Sequence, residues 1–169
     1  MLKPVPSQAR LRELFRYDPE TGKLVNLTNR HSQSRIGDVA GSVDWQGYRA
    51  VKVDGYKYSA ARLIWMWMTG EWCEVDHANL CRSDDRWVNL RKATRSQNCA
   101  NKGAFYKPNK FGFRGVKRNW NRFAAVICKD GKEEFLGNYA TPELAARAYD
   151  VAAKRLHGEF ARLNFPGAA

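Results

Sequence analysis

The chain has 169 residues, enough for one ordinary domain or two small ones, and its 44% hydrophobic content supports folded cores. The net charge is +12, shared by both parts (16 basic against 11 acidic residues up to position 100, 13 against 6 beyond it), so a polyanion is the natural partner. No apolar run approaches the ~18 residues of a membrane span, no signal peptide is visible, and Cys73, Cys81, Cys99 and Cys128 form no CxxC pair; the reading is a reduced, cytoplasmic protein without a zinc ribbon or disulfide framework.

In chain order, residues 8–17 are expected to form a short helix with Leu11, Leu14 and Phe15 on one face, closed by the turn Asp18-Pro19-Glu20-Thr21-Gly22. Strand-like pieces follow at 23–25, 39–43 and 48–53. Asp54-Gly55 is a hairpin signal before Tyr56-Lys57-Tyr58. Residues 60–69 read as a helix with Leu63, Ile64, Trp67 and Met68 as core positions.

Next comes Asp76-His77, with Asn89 and Asn98 placed 12 and 21 residues after the histidine. Hydrolysing a phosphodiester near neutral pH needs a base to take a proton from water, and a cation to hold the charge that builds on phosphate and leaving oxygen. Histidine titrates in the right range for the base. Asp and Asn oxygens suit hard, magnesium-like cations whose remaining positions phosphate and water fill. On an extended strand, adjacent Asp and His point to opposite faces.

Residues 101–122 hold seven basic and no acidic residues, interleaved with aromatics. About 101–111 is a linker, in which Lys107 and Lys110 are expected to track phosphates. From Phe113 the pattern tightens. Strands are expected at 114–118, 122–129 and 133–139, with Asp130-Gly131 as hairpin turn. On the second strand Phe123, Ala125 and Ile127 share one face, and Arg122, Ala124, Val126 and Cys128 the other. Thr141-Pro142-Glu143 opens a helix that places Leu144, Ala145, Ala148, Val151, Ala152 and Leu156 on an apolar stripe, with His157 suited to its negative end and Gly158 ending it. The product is a three-stranded antiparallel sheet covered by one helix, its other face open and basic, a form that enters the major groove.

Two resemblances add to this reading. RLIWMWMTGEWCEVDHANLCRSDDRWVNLRKATRSQN, residues 62–98, resembles the HNH endonucleases of phages and mobile introns, and LFRYDPETGKL and DWQGYRAVKVDGYKY resemble their usual leader. The family pattern is a strand ending in Asp-His, a polar turn, Asn-Leu-Arg opening a helix, then Ser-x-Asn. The resemblance implies a ββα-metal finger in which His77 is the general base, Asp76 and Asn98 ligate Mg2+ or Mn2+, and Asn89 holds the His77 loop. The chain departs from that pattern at Ala61 (often His), at Leu80-Cys81 (often Gly-Asp) and at Asp85 (often Asn). The segment from Phe111 to Pro166, with the landmarks RGV, FAA, LG, AARAYD and LNFP in order, resembles the Apetala-type (ethylene-response-factor) DNA-binding domain. That likeness implies that Arg114, Lys117, Arg118, Trp120 and Arg122 lie on DNA. Where plant members carry further arginines, this chain has Val126, Cys128 and Glu133.

The expected protein is of the α+β class: an HNH nuclease domain at 1–100, a basic linker at 101–111 and an Apetala-type domain at 112–166. Its expected partner is double-stranded DNA, with no membrane association, as a monomer that dimerises at most on DNA in a bacterial host cytoplasm. The expected activity is a metal-dependent DNA endonuclease, most simply a nickase. The alternative is a DNA-binding regulator whose finger is inactive, on account of the departures at Ala61, Leu80, Cys81 and Asp85.

Overall fold

The computed structural model describes residues 3–29, 34–101 and 110–167. By contacts the chain divides into two compact units, Met1–Thr94 and Arg95–Ala169. His31, Lys107 and most of the expected linker lie outside the described residues.

The first unit opens with helix α1 (Gln8–Leu14), where the Ser7 side chain accepts from Arg10 N and caps the free amide end. The helix is shorter than expected. Phe15 has strand geometry and begins β1 (Phe15–Asp18), which pairs with β2 (Lys23–Asn26). Tertiary context overrides the periodicity here, because Phe15 at 1% exposure and Tyr17 at 5% both belong to the core and a strand turns both inward. The 39–43 piece shrinks to β3 (Ser42–Val43), with Val39 making only an isolated bridge to Val25. β3 pairs with β4 (Arg49–Val53), and β4 with β5 (Tyr56–Ser59) through the Asp54-Gly55 turn. Helix α2 (Ala60–Thr69) follows and ends at Gly70 in left-handed geometry.

The core of this unit gathers Leu11, Phe15, Leu24, Val51, Val53, Leu63 and Ile64, each at most 1% exposed. Burying each such side chain contributes about 1.5–3 kcal/mol. That core supports the strand pair β6 (Glu74–His77) and β7 (Leu90–Ala93). Asn-Leu-Arg therefore does not open a helix. Asn89 closes a short 3-10 turn, and Leu90 and Arg91 are strand residues paired with His77 and Asp76. The cause is long-range: β6 needs a partner for its backbone groups, and α3 (Arg95–Asn101) begins only after β7 is spent.

In the second unit β8 (Val116–Asn119), β9 (Arg122–Lys129) and β10 (Lys132–Tyr139) form one antiparallel sheet in the order β10-β9-β8. Helix α4 (Pro142–His157) covers one face, capped by Thr141, whose Oγ1 accepts from Leu144 N. Its buried stripe is rotated from the expected one. Ala145, Ala146, Tyr149, Ala152 and Ala153 face the sheet, while Leu144 and Val151 are 48% and 70% exposed. Alanines let the helix lie close, and closeness is what seats the Tyr149 ring. His157 is buried, and burial with Lys129 nearby lowers its pKa.

The AARAYD and LNFP motifs are structural. Asp150 Oδ1 accepts from Asn164 N at 2.8 Å and Oδ2 from Phe165 N at 2.9 Å, which ties the tail to α4. Asn164 in turn accepts from Arg114 N at 2.6 Å and donates to Arg114 O at 3.1 Å. Among the described residues no helix is long and apolar enough to cross a membrane.

Candidate active site

His77 ends β6, 6% exposed, and Asp76 before it is equally buried. The two side chains have different partners. Asp76 sits opposite Arg91 on β7, whose Nε and Nη2 donate to Asp76 Oδ2 at 2.9 and 2.8 Å. A buried carboxylate needs such a partner, because an uncompensated charge there is strongly destabilising. His77 Nε2 lies 3.0 Å from Asp85 Oδ1, and Asp85 is itself 3% exposed. In a neutral ring, a proton on Nε2 donated to this carboxylate would leave Nδ1 as the ring's acceptor nitrogen.

The loop between the strands is built to hold Asp85 at that place. Asn89, 5% exposed, accepts at Oδ1 from Asn79 N (2.9 Å) and donates from Nδ2 to Asp84 O (2.7 Å), while Ala78 N donates to Asn89 O. Asn79 donates to Asp84 Oδ2 at 2.7 Å, and Arg86 grips the same carboxylate from Nε and Nη2. The Arg86 hydrogen bonds hold the Asp84 carboxyl well below the usual carboxylate range. From the scaffold, the buried Tyr17 hydroxyl donates to Asp85 O at 2.8 Å. Its burial pushes the Tyr17 pKa up.

Two features carry a stability cost. Asp85 Oδ2 is buried without a hydrogen-bond partner, an arrangement worth about 1–3 kcal/mol against folding. Leu80, where the resemblance expects glycine, holds a φ of +65°, at a cost of about 1–2 kcal/mol for a side-chain-bearing residue. Asp85 is the candidate-site residue whose contact with His77 sequence reasoning missed. The only signal was its departure from the expected Asn, and its partner lies eight residues away across a loop.

Asn98 lies on α3 in the second unit. Within that unit the residues expected on DNA take different roles. Arg114 is half-buried: Nη1 donates to Ala100 O at 2.8 Å, and its backbone is held by Asn164. Lys117 is exposed on the open face and meets Glu133 at 2.6 Å. Arg118 is exposed at the sheet edge, stacked on Phe123 at 5.0 Å. Trp120 is 92% exposed in the β8–β9 turn, and Arg122 and Lys110 are exposed. The open face is less uniformly basic than expected, since Glu133 and the 59%-exposed Phe135 share it.

Comparison with known proteins matches residues 58–100 to the HNH endonuclease family. Over 90 residues the chain is 37% identical to an uncharacterized HNH endonuclease of Acanthamoeba polyphaga mimivirus, a match covering 53% of this chain and 46% of that protein. A 57-residue stretch is 47% identical to the ethylene-responsive transcription factor ERF010 of Arabidopsis thaliana, covering 32% of this chain and 31% of that one. Among solved structures there is a likeness to the HNH homing endonuclease I-HmuI, in a structure described as DNA binding and cleavage, at 18% identity and a TM-score of 0.40, covering 90% of this chain and 88% of that one. The chain thus spans less than half the length of either curated relative. Residues 58–100 thus match the HNH endonuclease family, in one chain with a stretch similar to ethylene-response factors.

Proposed function

We propose that this protein is a metal-dependent DNA endonuclease of the phage or homing kind, in which the C-terminal sheet docks on duplex DNA and the HNH domain cuts one strand. The observation that carries the reading is His77, buried at a strand end with Nε2 fixed on Asp85 and its loop stapled by Asn89. In this arrangement His77 Nδ1 takes the proton from the attacking water, and Asp85 holds the ring in the required tautomer. Asn89 positions the loop.

Asp76 and Asn98, both inside the matched segment, would hold a divalent cation. A carboxylate and a carboxamide are oxygen donors of the kind a magnesium-like ion accepts, with phosphate and water in the remaining positions, and Asp76 Oδ2 is here engaged by Arg91. When bound, the cation supplies charge stabilisation at the scissile phosphate and the departing oxygen. One base and one such ligand pair per chain make each cut a nick.

Plasmid nicking is therefore expected with magnesium or manganese and is lost in excess chelator. Undiminished cutting in chelator would remove the metal from the reading. The strained Leu80 turn favours a second reading, a DNA-binding regulator with an inactive finger. Absence of nicking under any divalent cation, with duplex binding intact, selects it.

The docking face makes its own prediction. The Lys117–Glu133 pair is exposed on both sides, 57% and 56%, so it contributes little to folding, and Glu133 competes with phosphate for the ammonium. Lys117→Ala should weaken duplex binding about equally on all sequences and lower the salt slope by roughly one. Glu133→Ala should strengthen binding. Titrations of labelled duplex at several salt concentrations check both, and an unchanged slope in Lys117→Ala would take Lys117 off the phosphates.

A further inference from the structure

Trp45 has no part in the site described above, yet it is 91% exposed. It sits in the turn between β3 and β4, and that turn is tightly made. Asp44 N donates to Tyr48 O at 2.8 Å and Gly47 N to Asp44 O at 2.9 Å, while Asp44 Oδ1 accepts from Gln46 N (2.9 Å) and Tyr48 N (3.0 Å). Gly47 takes the left-handed position at φ +89°. Asp44 and Gly47 build this turn, and nothing in it requires an aromatic at position 45.

The turn is also pinned beside the catalytic histidine. Arg82, in the loop that carries Asp85, donates from Nη1 to Gln46 O at 2.9 Å and stacks over the Tyr48 ring at 4.8 Å. The Tyr48 ring lies 6.2 Å from the His77 ring. All these residues belong to the first unit. The indole thus stands in solvent on a turn whose backbone is pinned, and that support leads to His77. A large flat apolar surface kept in solvent is available to stack on a partner. In a basic nuclease domain, the partner with flat π faces and negative charge is nucleic acid, whose bases stack on an aromatic side chain where a duplex step is opened or kinked.

We infer that Trp45 stacks on a base of the DNA next to the scissile phosphate, so that the turn sets the substrate's position relative to His77. The inference rests on the nuclease reading above and adds a residue to it. Trp45 is a positioning residue: it does not touch the reacting atoms.

The test uses the full chain. In steady-state cleavage Trp45→Ala should raise KM by roughly five- to 150-fold, the range of one lost aromatic–base stack, with the loss carried by KM rather than kcat. Trp45→Phe should recover most of it. In a second arm, run in chelator so that nothing is cut, adding duplex should quench more tryptophan fluorescence in the parent than in Trp45→Phe. An unchanged KM in Trp45→Ala overturns the inference, as does equal quenching in the two proteins. If the parent cleaves no DNA, the nuclease reading fails while the quenching arm still decides the stack. If sedimentation shows that Trp45→Ala abolishes self-association with DNA binding unchanged, Trp45 contacts a second copy of the chain and the inference is overturned.

Discussion

On the proposed mechanism, replacing His77 with alanine is expected to lower the cleavage rate by about 10²–10⁴, the usual share of a general base, and to leave duplex affinity close to that of the parent. The separation follows from geometry. His77 is 6% exposed and holds Asp85, not a surface from which DNA is gripped. Single-turnover cleavage with saturating protein reads the chemical step, and a binding titration in chelator reads affinity. Cleavage at the parental rate would make His77 a structural residue, and the Asp85 hydrogen bond would then be a packing contact only. A parallel loss of affinity would mean that removing the imidazole collapses the loop, which a thermal melt distinguishes.

The second large effect falls on folding. Gly115, in the RGV landmark, has φ +71°, and a Cβ there would lie 2.0 Å from the Tyr149 ring and 2.6 Å from Val126 O. Val126 N donates to Gly115 O, so the backbone cannot move away without breaking the sheet. Gly115→Ala therefore combines the left-handed penalty with overpacking, about 2–4 kcal/mol in all. For a unit of this size that lowers its melting transition by roughly 10–30 °C. Gly131→Ala is the control. Gly131 has nearly the same conformation, φ +79°, with nothing near the missing Cβ, so only the conformational part, about 1–2 kcal/mol, remains. Equal melting shifts for the two variants would show that Tyr149 does not close over Gly115.

Signals between near neighbours in the chain were legible without coordinates. Asp54-Gly55 and Asp130-Gly131 turn where expected because their conformational preference is local. Thr141-Pro142 starts α4 for the same reason. The two-residue period of a strand placed Ala125 and Ile127 on the face that packs on the helix. The spacing from His77 to Asn89 was visible too, since a motif of residue types survives whatever backbone carries it.

Only the tertiary structure decided what those residues touch. Phe15 became a strand residue, and Leu90-Arg91 paired with β6 instead of opening a helix, because buried backbone groups need partners that lie far away in sequence. The stripe of α4 rotated to its smallest residues because close approach to the sheet outweighed the hydrophobicity of Leu144 and Val151. Arg114 is of the residue type expected on DNA, and the fold sets its Nη1 on Ala100 O, a contact that no local pattern announced. Asp85 reads as a lapse from a pattern until the loop closes and sets its carboxylate 3.0 Å from His77. Composition and motif pointed to the chemistry proposed for this chain. Long-range packing determined which of those side chains meet, because hydrogen bonds and burial act through space and not along the chain.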